Sequence, residues 1–109
     1  MKLEEIIKKT DMEIFNIADS NGQVKGCYIG DLLSRVMAEA QKDEIWITIQ
    51  GHQNIIAVSL LADLSAVVIV EEVEIEEETI KKAVQKGVTL LRTDKSAYQL
   101  AKELSKLGV

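Results

Sequence analysis

The sequence predicts an α/β protein: a three-layer α/β/α sandwich around a mixed, mostly parallel five-stranded sheet. Three observations lead there. The stretch from Glu44 to Glu72, EIWITIQGHQNIIAVSLLADLSAVVIVEE, passes from an apolar run through a glycine break and an amphipathic run to a second apolar run, the pattern of a β-α-β unit. Elsewhere, short β-branched runs alternate with segments of helical period, the order that builds a largely parallel sheet covered on both faces. Finally, 109 residues with 47% hydrophobic content suffice for one independent core, so residues 1–109 are expected to form a single domain.

In chain order, Leu3, Ile6 and Ile7 form the apolar face of a first helix, with Glu4 and Glu5 early and Lys8 and Lys9 late, as the helix dipole favours. Glu13 to Ile17 reads as a strand. Ala18 to Gly22 reads as a turn, because Asn21-Gly22 tolerates positive φ, and Val24 to Ile29 as a second strand that pairs with the first as a hairpin. Gly26 within it marks a bulge or a close backbone approach. Gly30-Asp31 opens a helix with Asp31 as N-cap and Leu32, Leu33, Val36, Met37 and Ala40 on one face.

Ile45, Ile47 and Ile49 alternate with Trp46, Thr48 and Gln50 in a third strand, Asn54 to Leu64 is the crossover helix, and Ala66 to Val70 is a strand apolar on both faces. Trp46 is expected in the core, with a partner interface as the alternative. Glu76 to Gly87 carries glutamates first, lysines later and a terminal glycine, and is a helix. Val88 to Leu91 is the fifth strand, Thr93 to Ser96 a capping turn, and Ala97, Leu100, Ala101, Leu104 and Leu107 the buried stripe of a last helix.

Composition excludes several function classes. A net charge of −5 with scattered lysines and arginines disfavours nucleic acid, which needs concentrated positive charge. No apolar run is long enough to span a membrane and the start is charged, so no membrane association and a cytoplasmic location are expected. One cysteine, Cys27, rules out an internal disulfide and reads as a small hydrophobe; one histidine leaves no cluster for zinc. No metal and no cofactor are expected.

In parallel sheets ligands bind at the carboxyl ends of the strands. The candidate rim therefore comprises Gly30 and Asp31, Gln50 to Asn54, Glu71 and Glu72, and Thr93 to Ser96. From it we select Gly30, Asp31, Gln50, Gly51, His52, Asn54, Glu72, Thr93, Lys95 and Ser96 as candidate ligand-binding residues. The Gly51 turn reads first as a tight turn capped by Asn54 with His52 exposed, with an anion on its backbone N–H groups as the alternative. There is no GxxxxGK[ST], GxGxxG or GxSxG motif, and His52 lacks a nucleophile with which to act as a base, so no catalytic residue is assigned. Six glutamates fall between Glu71 and Glu78 and read as a solvated loop running into a helix start. Glu71 and Glu72 repel a bare phosphate unless a cation intervenes, and Lys95 is placed to supply it.

The stretches GHQNIIAVSLLADLSAVVIVEE and ETIKKAVQKGVTLLRTDKSAYQLAKEL, with the opening MKLEEIIKKTDMEIF, resemble the DRTGG-domain family and, more remotely, the amino-terminal, non-catalytic domains of HPr kinase/phosphorylase and MurF-type ligases. Where the family's name motif places Gly-Asp-Arg this chain has Gly51-His52-Gln53, and where it places Thr-Gly-Gly it has Val70-Glu71-Glu72. Ser96 resembles the family's hydroxyl residue before the last helix. The resemblance implies a helix-covered sheet that accompanies catalytic or nucleotide-sensing partners and carries no kinase activity. The expectation is thus a non-enzymatic regulatory or interaction module, a homodimer or an associate of a catalytic protein encoded nearby. The alternative is a sensor of a small anionic or nucleotide ligand at the rim.

Overall fold

The computed structural model describes residues 1–19 and 21–109. Among these residues five helices and five strands run in the order α1 (Leu3–Thr10), β1 (Glu13–Asn16), β2 (Gly26–Ile29), α2 (Leu33–Glu39), β3 (Glu44–Thr48), α3 (Asn54–Leu61), β4 (Ala66–Ile69), α4 (Glu77–Lys86), β5 (Leu90–Arg92) and α5 (Ala97–Lys106). The sheet order is β1-β5-β4-β3-β2. Strands β2 to β5 are parallel neighbours in sequence order, and β1 joins β5 antiparallel, so the sheet is mixed and mostly parallel.

The expected hairpin of the first two strands does not form: β1 and β2 lie at opposite edges of the sheet. A type I′ Asn-Gly turn needs positive φ at both residues, and Gly22 does not adopt it. Ser20, inside the expected turn, lies outside the described residues. The connector is held by the amino terminus instead. Leu3 N–H donates to the Gly22 carbonyl at 3.0 Å and Val24 N–H to the Met1 carbonyl at 2.9 Å. At the far edge the Asn16 side-chain amide donates to the carbonyls of Ala83 at 3.1 Å and Val88 at 2.9 Å, anchoring β1 to the end of α4.

Strand alternation divides the core into two layers. Ile45, Ile47, Val68 and Leu91 face α1 and α5, where Leu3, Ile6, Leu100 and Leu104 meet them. Trp46, Val67, Ile69 and Leu90 face α2, α3 and α4, where Val36, Ile55, Ile56 and Ala83 meet them. Trp46 is fully buried and its Nε1–H donates to the Gly30 carbonyl at 2.8 Å, so it is a core residue rather than an interface. Cys27 packs at the edge of the α1/α5 layer, and burial together with the Glu44 charge pushes its thiol from 9.0 up to about 12.

Two expected caps form. Gly87 closes α4 in the left-handed conformation, and Ser96 opens α5 in a reciprocal capping box with Gln99. Two others do not. Helix α2 begins at Leu33, beyond reach of Asp31 as N-cap, and Asn54 is the first residue of α3 rather than its cap. The Asn54 N–H donates to His52 Nδ1 at 3.1 Å, so the histidine side chain satisfies this helix start.

Candidate functional site

Because α2, α3 and α4 all cover one face and α5 the other, the loops leaving β4 and β5 diverge to opposite faces. That makes the carboxyl ends of β4 and β5 the topological switch point, where such sheets open a crevice. Here the crevice is sutured. Glu71 N–H donates to the Lys95 carbonyl at 2.9 Å and Glu72 N–H to the Thr93 carbonyl at 2.9 Å. Both glutamates are left-handed, with φ of 60° and 52°. Side chains other than Gly, Asn and Asp rarely adopt that conformation, because Cβ crowds the following carbonyl. The chain therefore keeps a glycine-type backbone at two glutamates, and its donors are spent across the switch point.

A second loop is fastened over the end of β3. The Asp31 carboxylate Oδ1 accepts from Thr48 Oγ1 at 2.8 Å and from Ile49 N–H at 2.9 Å, and the Gln50 side-chain amide donates to the Asp31 carbonyl. Asp31 thus clamps the β2–α2 loop to β3. Beside it, Gly51 sits under the segment leading into α4. A Cβ at Gly51 would fall far inside contact distance of the Glu74 carbonyl oxygen. The Gly51 carbonyl accepts from Thr79 Oγ1 at 2.7 Å and from Glu76 N–H at 3.2 Å, so this close approach is bonded on both sides.

The rim cations are engaged within the fold. Lys95 Nζ donates to the Thr10 carbonyl at 2.7 Å and to Glu103 Oε1 at 2.9 Å, tying α5 to the end of α1. Arg92 reaches Glu13 Oε1 at 3.0 Å and stands over the Phe15 ring at 5.1 Å. A cavity of about 90 Å³ opens at the ends of β2 to β4, lined by Ile29, Asp31, Thr48, Ile49, Glu71 and Ala97. A second concavity of about 200 Å³ lies beside β5, between Asp11, Glu13, Glu72, Arg92, Thr93 and Asp94. Ile29 and Ile49, which line the first, are exposed, as are Leu32 and Tyr98, the chain neighbours of its lining residues Asp31 and Ala97.

The candidate residues therefore divide into separate groups. Gly30, Asp31 and Gln50 gather at β3; Glu72 and Thr93 meet at the suture; Gly51 packs against the loop before α4; His52 and Asn54 form the start of α3; Lys95 faces α1 and α5; Ser96 caps α5. Sequence reasoning missed Arg92 and Thr48. The signal for Arg92 was a lone cation directly after the apolar run of the last strand; Thr48 had none, since a threonine in a strand is ordinary. Among the described residues no group of three or more His, Cys, Asp or Glu side chains is placed to hold a metal ion, and no helix is long and apolar enough to cross a membrane.

The DRTGG domain family model matches residues 5–107. The chain belongs to the DRTGG domain family. No curated protein sequence matches it. Among solved structures, this DRTGG domain is similar to the CBS and DRTGG domains of the regulatory region of Clostridium perfringens pyrophosphatase, crystallised with the activator diadenosine tetraphosphate. The TM-score is 0.74 at 15% identity, and the match covers 94% of this chain and 45% of the other. At that identity the likeness is one of fold, and the DRTGG domain spans less than half the length of its structural neighbour.

Proposed function

We propose that this DRTGG domain is a single-domain, non-catalytic regulatory module of the cytoplasm that works through protein contact, with a second copy of itself or with a catalytic protein encoded nearby. The observation that carries the proposal is the sutured switch point. The backbone donors of Glu71 and Glu72, which an open crevice would offer to a ligand, are spent on the carbonyls of Lys95 and Thr93. The two concavities that remain at the rim, about 90 and 200 Å³, each fall below the roughly 300 Å³ at which small-molecule sites begin. What the rim does present is apolar surface: Ile29 and Ile49 with Leu32 and Tyr98, of the kind that marks contact sites. Membership of a family found in an enzyme's regulatory region supports the same role. Sedimentation velocity up to millimolar concentration tests it. The proposal expects reversible association that Ile29→Lys and Tyr98→Lys each weaken; a strictly monomeric chain that also captures no enzyme when co-expressed with its gene neighbours overturns it.

The second reading is a nucleotide or small-anion sensor at the rim, through Gly30, Asp31, Gln50, Gly51, His52, Asn54, Glu72, Thr93, Lys95 and Ser96. It is favoured by the nucleotide activator in the structural neighbour. Thermal shifts with diadenosine tetraphosphate and ATP, with and without Mg²⁺, discriminate: saturable stabilisation supports the sensor, and none at millimolar ligand removes it.

A further inference from the structure

Helix α3, NIIAVSLL, carries no charged residue, whereas α1, α2, α4 and α5 each carry two or more. Its apolar residues are spread around the whole circumference rather than gathered in one stripe. A helix of that kind belongs in an interior, covered on all sides. Its inner face is covered, since Ile55, Ile56, Val58 and Ser59 are buried against the sheet and its neighbours. Its outer face is not: Leu60 is 46% and Leu61 74% exposed, with Ala57 exposed one turn before. Alongside runs a groove of about 420 Å³ between α3 and α4, lined by Asn54, Ile56, Ala57, Leu60, Lys82 and Lys86. Lys82 and Lys86 have no ion-pair partner among the described residues, although Lys81 beside them pairs with Glu78.

We infer that this face docks an acidic amphipathic helix of a partner protein, an inference that rests on the reading of the domain as an interaction module. Charge complementarity selects the occupant. Lys82 and Lys86 stand one turn apart on α4, about 6 Å along its axis, which matches two carboxylates one turn apart on a facing helix. Two helices that each follow a parallel strand on the same face run side by side, and the furrow between them takes a third helix lengthwise, with leucine-type anchors over Ala57 and Leu60. A second copy fits poorly. A two-fold contact sets the same patch against itself, and this patch contains two lysines and no acid, so both pairs would remain unneutralised.

The test is an NMR titration of the full chain with a synthetic amphipathic peptide carrying leucines at i, i+3 and i+7 and glutamates one turn apart on the flank. A counterpart with lysines in place of glutamates runs in parallel. The inference expects amide shift changes confined to Asn54–Leu61 and Lys82–Lys86, affinity that falls with added salt, and at least a tenfold loss in the Lys82→Glu/Lys86→Glu variant. Lys82→Gln/Lys86→Gln should lose part of the affinity, and circular dichroism checks that both variants fold. Absence of binding, equal binding of the lysine peptide, or an affinity unchanged by charge reversal overturns it. So does self-association of the free chain through these same residues, which would make a second copy the occupant. If the chain associates through Ile29 and Tyr98 but the acidic peptide does not bind, the module stands and this inference falls; if neither occurs, both fall.

Discussion

Gly51 and the pair Glu71-Glu72 lie at the ends of adjacent strands and invert each other's logic. At Gly51 the backbone conformation is one any residue adopts, since its φ is not in the left-handed region, but there is no room for a side chain beneath Glu74. At Glu71 and Glu72 the side chains project freely into solvent, but the backbone is one that glycine prefers. One position is fixed by space and the other by dihedral angle. The resemblance drawn from the sequence sets glycines at both; this chain has glycine only at the position fixed by space. The difference teaches that a left-handed site tolerates substitution at a bounded cost, of order 1 kcal/mol per residue, whereas a backbone-to-backbone contact does not.

The largest effect should come from Gly51→Ala. The methyl group must displace the Glu74 carbonyl, with it the segment leading into α4, and we expect a loss of about 3 kcal/mol in denaturant unfolding. A loss within experimental error would mean the two segments separate readily and would dissolve the comparison. Thr79→Val removes the hydroxyl that holds the Gly51 carbonyl at 2.7 Å, while Glu76 N–H still donates to the same oxygen. The expected cost is therefore smaller, about 1 kcal/mol.

Glu71→Gly and Glu72→Gly should act in the opposite direction. Each relieves a left-handed side chain, partly offset by the greater freedom glycine gives the unfolded chain, for a net gain of about 0.5 to 1 kcal/mol. Destabilisation by either would show that the carboxylates, and not the dihedral angles, hold the loop. An effect absent at neutral pH lies away from both positions, in the thiol of Cys27. Its pKa is raised from 9.0 to about 12, so the unfolded chain releases a proton that the folded chain keeps. Stability is fully present below about pH 9 and declines as pH rises toward 12. A Cys27→Ala variant should lose that decline, and Gly51→Ala should retain it.

The β-α-β centre of the fold was legible because periodicity speaks directly there: the isoleucines of β3 alternate with Trp46 and Thr48, and β4 is apolar throughout. Helix ends with local chemistry, Gly87 and Ser96, were legible for the same reason. Strand partnership was not. Nothing in Glu13 to Ile29 distinguishes a hairpin from two opposite edges, because the choice is made by Asn16 reaching α4 and by Val24 bonding to Met1. The rim residues were named by position at strand ends, and that position does not reveal how each is used. Asp31 was expected to cap a helix and instead clamps β3; Lys95, offered as a counter-charge at the rim, bonds to the Thr10 carbonyl and Glu103 and so ties α5 to α1. Those roles depend on long-range partners, which local pattern does not encode.

The central claim is that the switch point between β4 and β5 is closed by the amides of Glu71 and Glu72. Amide hydrogen exchange at these two residues tests it most directly. The suture predicts that both exchange as slowly as the interior amides of β4, opening only with the sheet; exchange at the rate of an exposed loop would contradict it and leave the crevice open to a ligand.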